Sequence, residues 1–150
     1  MSPSRIEIVA PRADLQAGWR SLYNGYAVFY KREMTDAIAD NVWRWINDPN
    51  HESDGLVALL DGVPAGLAHY RRMPSPLRGA DIGFLDDLFV DPAHRGNGLA
   101  EALFDRLRAI AAEKQWPVIR WLTADDNYRA RGLYDQVAKK TLWNTYEMTV

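Results

Sequence analysis

The sequence predicts an α/β domain with a mixed sheet and a central strand–helix–strand unit. Three observations lead there. Short apolar runs rich in β-branched residues recur along the chain, and two of them flank the tight turn Asp61-Gly62-Val63-Pro64. Amphipathic stretches at helical spacing separate the others. One run, 82–90, leads through a glycine-rich turn into a helix and then into a further apolar run. With 150 residues, 47% hydrophobic and 25% charged, the chain is expected to form one domain, 1–150, with room for a core. No repeat, low-complexity tract or linker divides it.

Residues 5–9, RIEIV, alternate as a first strand. Residues 14–30 read as a helix, with Trp19, Tyr23, Tyr26 and Tyr30 on one face and Gly25 as a candidate break. Thr35 suits the N-cap of a second helix carrying Ile38, Val42 and Trp45 on one side, ended by Asp48-Pro49-Asn50. Strands are expected over 56–60 and 65–73, a loop over 73–81 and a long strand over 82–90. A helix over 99–113, a strand over 118–123, a helix over 127–138 and a closing strand over 142–150 complete the order.

Composition narrows the function classes. The net charge of −2 and the few scattered arginines, Arg71, Arg72 and Arg78, do not suit nucleic acid. No apolar run is long enough to span a membrane, and the first residues lack the apolar core of a secretory signal. The chain has no cysteine, which removes disulfides, thiolate metal sites and a cysteine nucleophile and agrees with a cytoplasmic location. His51, His69 and His94 lack metal-ligand spacing, so no metal site is expected.

Chemistry concentrates in 88–104, LFVDPAHRGNGLAEALF. The first turn of a helix exposes unpaired N–H groups and the positive end of the helix dipole. Glycines bring such amides close to a ligand, and an arginine adds charge-assisted hydrogen bonds to oxyanions. RGNGLA (95–100) therefore has the parts of a phosphate cradle, though it is neither a P-loop nor a dinucleotide fingerprint. The same residues also suit a strand-to-helix turn that binds nothing.

Residues 85–107 resemble motif A of the GCN5-related N-acetyltransferase (GNAT) superfamily, where a strand precedes Arg/Gln-x-x-Gly-x-Gly/Ala and a helix. Arg95, Gly98 and Ala100 match in place. Residues 127–138 resemble the later Asn-x-x-Ala-x-x-Leu-Tyr motif through Asn127, Ala130, Leu133 and Tyr134. The resemblance covers 56–150 by motif and the preceding helices by order and length. It is nearest the branch of yeast histone, D-amino-acid and polyamine acetyltransferases. Ala138 and Lys140 depart from the family's usual glycine and aromatic, which affects the approach to the last strand.

The resemblance implies the GNAT acyl-CoA N-acyltransferase fold, in the order β-α-α-β-β-β-α-β-α-β. It implies acetyl-CoA as co-substrate, no metal, and direct attack by a primary amine of a small molecule such as a polyamine or an amino acid. Acetylation of protein amines, or a non-catalytic acyl-CoA sensor on the same fold, are the alternatives. Arg95, Gly96, Asn97, Gly98, Leu99 and Ala100 would hold the pyrophosphate. The backbone of Leu88, Phe89 and Val90 would pair with the pantetheine arm in a gap between 85–90 and 118–123. Asn127 and Tyr134 would complete the cofactor site, with Tyr134 as general acid to the leaving sulfur.

Asp86 and Asp87 are unusual in an apolar strand, and the pleat lets only one of them face an acceptor cleft. The resemblance favours Asp86 as the acid that attracts or deprotonates the amine; a purely structural role for both is the alternative. The aromatic stripe of the first helix reads as core, or as a wall for a cationic amine. Trp143 and Tyr146 in the closing strand leave an apolar edge, so a homodimer is expected.

Overall fold

The computed structural model describes residues 3–150. Its elements are β1 (Ile6–Val9), α1 (Gln16–Phe29), α2 (Asp36–Ile46), β2 (Ser53–Leu60), β3 (Val63–Ser75), β4 (Ala80–Val90), α3 (Leu99–Glu113), β5 (Ile119–Trp121) and α4 (Tyr128–Val137). Single 3-10 turns at Ala13–Leu15 and Pro92–His94 lead into α1 and the glycine turn. The expected mixed-sheet α/β fold is present. The strands lie in sequence order, β1-β2-β3-β4-β5. The first four are antiparallel and β5 joins β4 in parallel, because α3 carries the chain back across the sheet. No described helix is long and apolar enough to cross a membrane.

Two cores sandwich the sheet. On one face Leu99, Leu103, Leu107 and Ile110 of α3 pack on Leu56, Ala58, Ala68, Tyr70 and Leu85. On the other, Trp19, Leu22 and Tyr23 of α1 and Ile46 of α2 pack on Val57, Leu59, Leu67 and Phe89. Burial of each large side chain contributes about 1.5–3 kcal/mol. Thr35 caps α2 as expected, its Oγ1 accepting from the Ile38 N–H at 3.1 Å.

Gly25 does not break α1, which runs on to Phe29. A Cβ at Gly25 would lie 3.0 Å from the Phe89 ring, so this glycine serves close helix–sheet packing. The loop expected over 73–81 is shorter: β3 and β4 pair out to Ser75 and Ala80. The closing strand expected over 142–150 is absent. These residues form no strand and are all exposed. Their alternation suits a strand, but a strand also needs an edge to pair with, and these residues pair with none of the described strands.

Gly83 and Gly132 should respond oppositely to alanine. A Cβ at Gly83 would sit 2.7 Å from Trp116 Cε3, whereas one at Gly132, inside α4, meets nothing within 4 Å. Gly83→Ala should cost about 1–3 kcal/mol through overpacking, and Gly132→Ala should gain up to about 1 kcal/mol from helix propensity. Thermal unfolding of the two variants checks this pair of signs.

Candidate functional site

The site starts from an irregularity in β4. His69 pairs with Asp87, and the next residue, Tyr70, pairs with Leu85. Asp86 is thus an extra residue, a β-bulge. In a regular strand Leu85 and Asp87, two residues apart, would point the same way. With it, Leu85 joins the core under α3 while Asp87 and Phe89 face α1.

Beneath α1 the bulge creates a buried polar cluster. Trp19 Nε1–H donates to His69 Nε2 at 3.0 Å, so the ring carries its proton on Nδ1. That proton points at Asp87 Oδ2, 2.8 Å away. Tyr23 donates its hydroxyl to the same oxygen at 3.0 Å, and the Tyr26 phenol helps to lower the carboxyl. Burial alone would raise the Asp87 carboxyl; the hydrogen bonds from His69, Tyr26 and Tyr23 outweigh it and hold the group below its ordinary value. Burial, reinforced by this negative charge, raises the phenols of Tyr23 and Tyr26. Asp87 is therefore a fixed anion that orients two phenols, and its engaged lone pairs make it a weak base. Asp86 lies at the surface of the same strand and accepts from Arg71 Nε at 2.9 Å.

The second part of the site is a gap between strands. β4 and β5 pair only over Gly83–Leu85 and Ile119–Trp121. Beyond Leu85, no described strand covers the β5 side of β4. The backbone of Leu88, Phe89 and Val90 bonds β3 on one side and leaves the alternate N–H and C=O groups facing this gap.

The glycine turn closes one end. Asp91 Oδ1 accepts from the Ala93 N–H at 2.9 Å, and Asn97 Nδ2 donates to the His94 carbonyl at 2.9 Å. These bonds fix the turn that delivers the chain to α3. Gly96 and Gly98 have φ of +84° and +81°, with open space where a Cβ would stand. Gly98 is the N-cap of α3, so the amides of the first turn, Leu99 and Ala100 among them, lack helical partners. Arg95 stands at the entry to this turn. Amides, dipole and arginine together suit a phosphorylated ligand.

Tyr134, on α4, packs edge-on against Trp121 of β5 and Phe104 of α3, with centroids at 5.4 and 5.8 Å. Burial first, then the neighbouring Tyr30, pushes its pKa up to about 12. Asn127 is the N-cap of α4 and donates through Nδ2 to Thr123 Oγ1 at 3.3 Å.

The structure thus gathers Leu88–Val90, Arg95–Ala100 and Tyr134 around the β4–β5 gap, and leaves Asp86 on the solvent side of the bulge. Sequence reasoning missed the cluster beneath α1. His69 was legible only as one of three scattered histidines. Its place on β3, on the same face as Leu67, was the available signal, because a polar side chain on an inward face needs a partner.

The chain as a whole is similar to known proteins. A model of the acetyltransferase (GNAT) family matches residues 18–138. D-amino-acid N-acetyltransferase HPA3 of Saccharomyces cerevisiae is 28% identical over 143 residues, spanning 94% of this chain and 89% of that protein. Thialysine N-epsilon-acetyltransferase of Caenorhabditis elegans is 30% identical over 148 residues, spanning 95% and 91%. The crystal structure of ribosomal-protein-alanine N-acetyltransferase from Brucella melitensis biovar Abortus matches with a TM-score of 0.82 at 25% identity, covering 97% of this chain and 99% of that one. Aminoglycoside N-acetyltransferase AAC(6')-Iy in complex with CoA matches with a TM-score of 0.85 at 18% identity, covering 99% and 97%.

Asp87 should leave a mark on acid stability. Its folded pKa lies below the ordinary 3.8, so the unfolded chain binds the proton first as pH falls. The contribution is fully present above about pH 4 and is lost as pH drops through the folded value. Asp87→Asn should lower stability at neutral pH by about 1–3 kcal/mol and flatten this part of the acid limb. Denaturant unfolding at a series of pH values measures both effects; an unchanged limb would remove Asp87 from the cluster's energetics.

Proposed function

This chain belongs to the acetyltransferase (GNAT) family, and we propose that it moves an acetyl group from acetyl-CoA to the primary amine of a small molecule, as a homodimer. The observation that carries this reading is the β4–β5 gap, with a glycine-turn helix N-terminus at one end and a phenol at its side. The donor supplies a thioester. The amides of Gly96, Asn97, Gly98, Leu99 and Ala100, with Arg95, hold its pyrophosphate, and the exposed edge of Leu88, Phe89 and Val90 takes the pantetheine amides as a strand would.

Acetyl transfer joins amine nitrogen to carbonyl carbon and breaks the carbon–sulfur bond. The ammonium loses one proton before attack and a second as the tetrahedral adduct collapses; the sulfur departs with negative charge and takes up that second proton through solvent. Tyr134 donates a hydrogen bond to that sulfur. Its pKa of about 12 keeps it protonated at neutral pH. A thiol near ~8.5 holds a proton less tightly, so the hydroxyl acts chiefly by stabilising developing charge. Asp86, the solvent-facing carboxylate at the bulge, attracts the cationic amine and takes its proton directly or through water. Tyr26 and Tyr30 supply an aromatic wall that favours a cation, with Asp87 fixing Tyr26 in place. The D-amino-acid and thialysine activities in the names of two relatives point to an amino-acid-like amine.

A panel of polyamines, amino acids and peptide amines, screened with acetyl-CoA while free thiol is followed, tests the reaction. The chain has no cysteine, so every thiol detected is product. With the best amine, Tyr134→Phe should slow turnover by roughly 10²–10⁴-fold while CoA affinity holds. A rate within about threefold of the parent would leave the donor role empty. In the parent enzyme, kcat/KM should rise with pH as the amine deprotonates. It should show no loss from Tyr134 up to about pH 11, because that phenol titrates higher.

Gly98→Asp should abolish measurable CoA binding in calorimetry. It puts a side chain at φ +81° and a negative charge beside the pyrophosphate. Unchanged affinity in a folded variant would refute the cradle.

A further inference from the structure

The C-terminal half of α3 covers a cavity away from the β4–β5 gap. Its volume is about 260 Å³. β1 ends at Val9, opposite Val57, so among the described residues no strand lies outside the first part of β2. Pro11 and Ile46 wall that side, and Ile8, Leu56 and Ile110 supply an apolar floor. The cavity is separate from the glycine turn: Ile110 lies roughly 16 Å along the axis of α3 from Leu99.

Four charged side chains line it: Asp54 of β2, Arg106 and Glu113 of α3, and Lys114 just beyond the helix. None has an ion-pair partner among the described residues. Asp54 pairs with Tyr70 across β2 and β3, on the face that Leu56 and Tyr70 share beneath α3. Tyr70 is only 8% exposed. Yet neither its hydroxyl nor the Asp54 carboxylate has a hydrogen-bond partner among the described residues. Burial first, then the Asp54 charge, pushes the Tyr70 phenol up to about 12, so it stays a donor at neutral pH. Burial raises the Asp54 carboxyl, and Lys114 and His51 offset only part of that. Asp87 shifts the other way because side chains donate to it. Lys114 Nζ stands 5.8 Å from the Trp116 ring, which meets Tyr70 edge-on at 6.4 Å, so a cation is held at the mouth. Polar groups turned to one void without protein partners are costly until something fills it.

We propose that this cavity binds a free α-amino acid with an apolar side chain, as its zwitterion. The ligand's ammonium donates to Asp54, beside Glu113 and the negative end of the α3 dipole. Its carboxylate accepts from Tyr70 and Arg106, with Lys114 adding charge. Its side chain lies on Ile8, Leu56 and Ile110. Two unpaired charges of each sign call for a ligand with both ends. A simple cation would leave Arg106 and Lys114 unmet, and a simple anion would meet Asp54 and Glu113 with like charge. The volume falls below the roughly 300–1,000 Å³ of pockets for drug-sized ligands, which suits a molecule this small. The site is additional to the acceptor cleft and does not rest on the reaction proposed there.

Calorimetry on the full chain without added CoA tests this with three probes: L-leucine, isoamylamine, which lacks the carboxylate, and isocaproate, which lacks the ammonium. Leucine should bind saturably, one per chain, and the other two at least tenfold more weakly. Asp54→Asn and Arg106→Gln should each weaken leucine at least tenfold. In Arg106→Gln leucine should lose its advantage over isoamylamine, and in Asp54→Asn its advantage over isocaproate. Arg106 is exposed, so its variant keeps the core intact, and the unfolding transition of Asp54→Asn shows that this chain folds too. Asp86→Asn, in the proposed acceptor cleft, should leave leucine binding unchanged. Three results overturn the inference: no saturable binding at millimolar leucine, an amine that binds as tightly as leucine, or a loss that follows Asp86 rather than Asp54. The last would put leucine in the acceptor cleft. All these readouts omit donor and turnover, so a chain that binds leucine but transfers no acetyl group would count against the reaction alone.

Discussion

The extra residue in β4 sets the direction of every side chain beyond it. Up to Leu85 the strand serves the core under α3, and after Asp86 the same parity serves the space under α1. A bulge costs a ladder hydrogen bond and needs an anchor. Asp87 is the anchor, fixed by His69 at 2.8 Å and Tyr23 at 3.0 Å. A buried carboxylate is tolerable only with its lone pairs filled, so Trp19, His69, Tyr23 and Tyr26 are committed together. The face of α1 reads as core, but part of it is a shell of donors around one charge.

The open gap between β4 and β5 depends on the same region. Parallel pairing lasts for three residues and stops at Leu85, next to the bulge. Past Leu85, β4 has an edge with its polar groups unfilled and a helix N-terminus at its far end. Ordinary proteins cover such edges. Here the edge and the helix dipole face one cleft.

Three phenols connect the two halves. Tyr26 belongs to the Asp87 cluster, and Tyr30 packs beside it with centroids 4.8 Å apart and influences the titration of Tyr134.

Neighbouring residues alone encode a good part of this protein. The α3 helix at 99–113 and the glycine turn before it follow from periodicity and φ-permissive glycines. So do the Thr35 cap and the one-sided aromatic stripe of α1. Features that depend on distant partners had to wait for the folded chain. Asp87 was legible as an odd residue in a strand, but its donors lie 18 and 64 positions away. Gly25 looked like a helix break until Phe89 came to rest against it. The bulge at Asp86 leaves no sequence signature, because β3 and β4 set their register through contacts on both faces. The alternation in 142–150 reads as a strand, yet the structure forms none there: the pattern is local, whereas an edge to pair with has to be supplied by the fold.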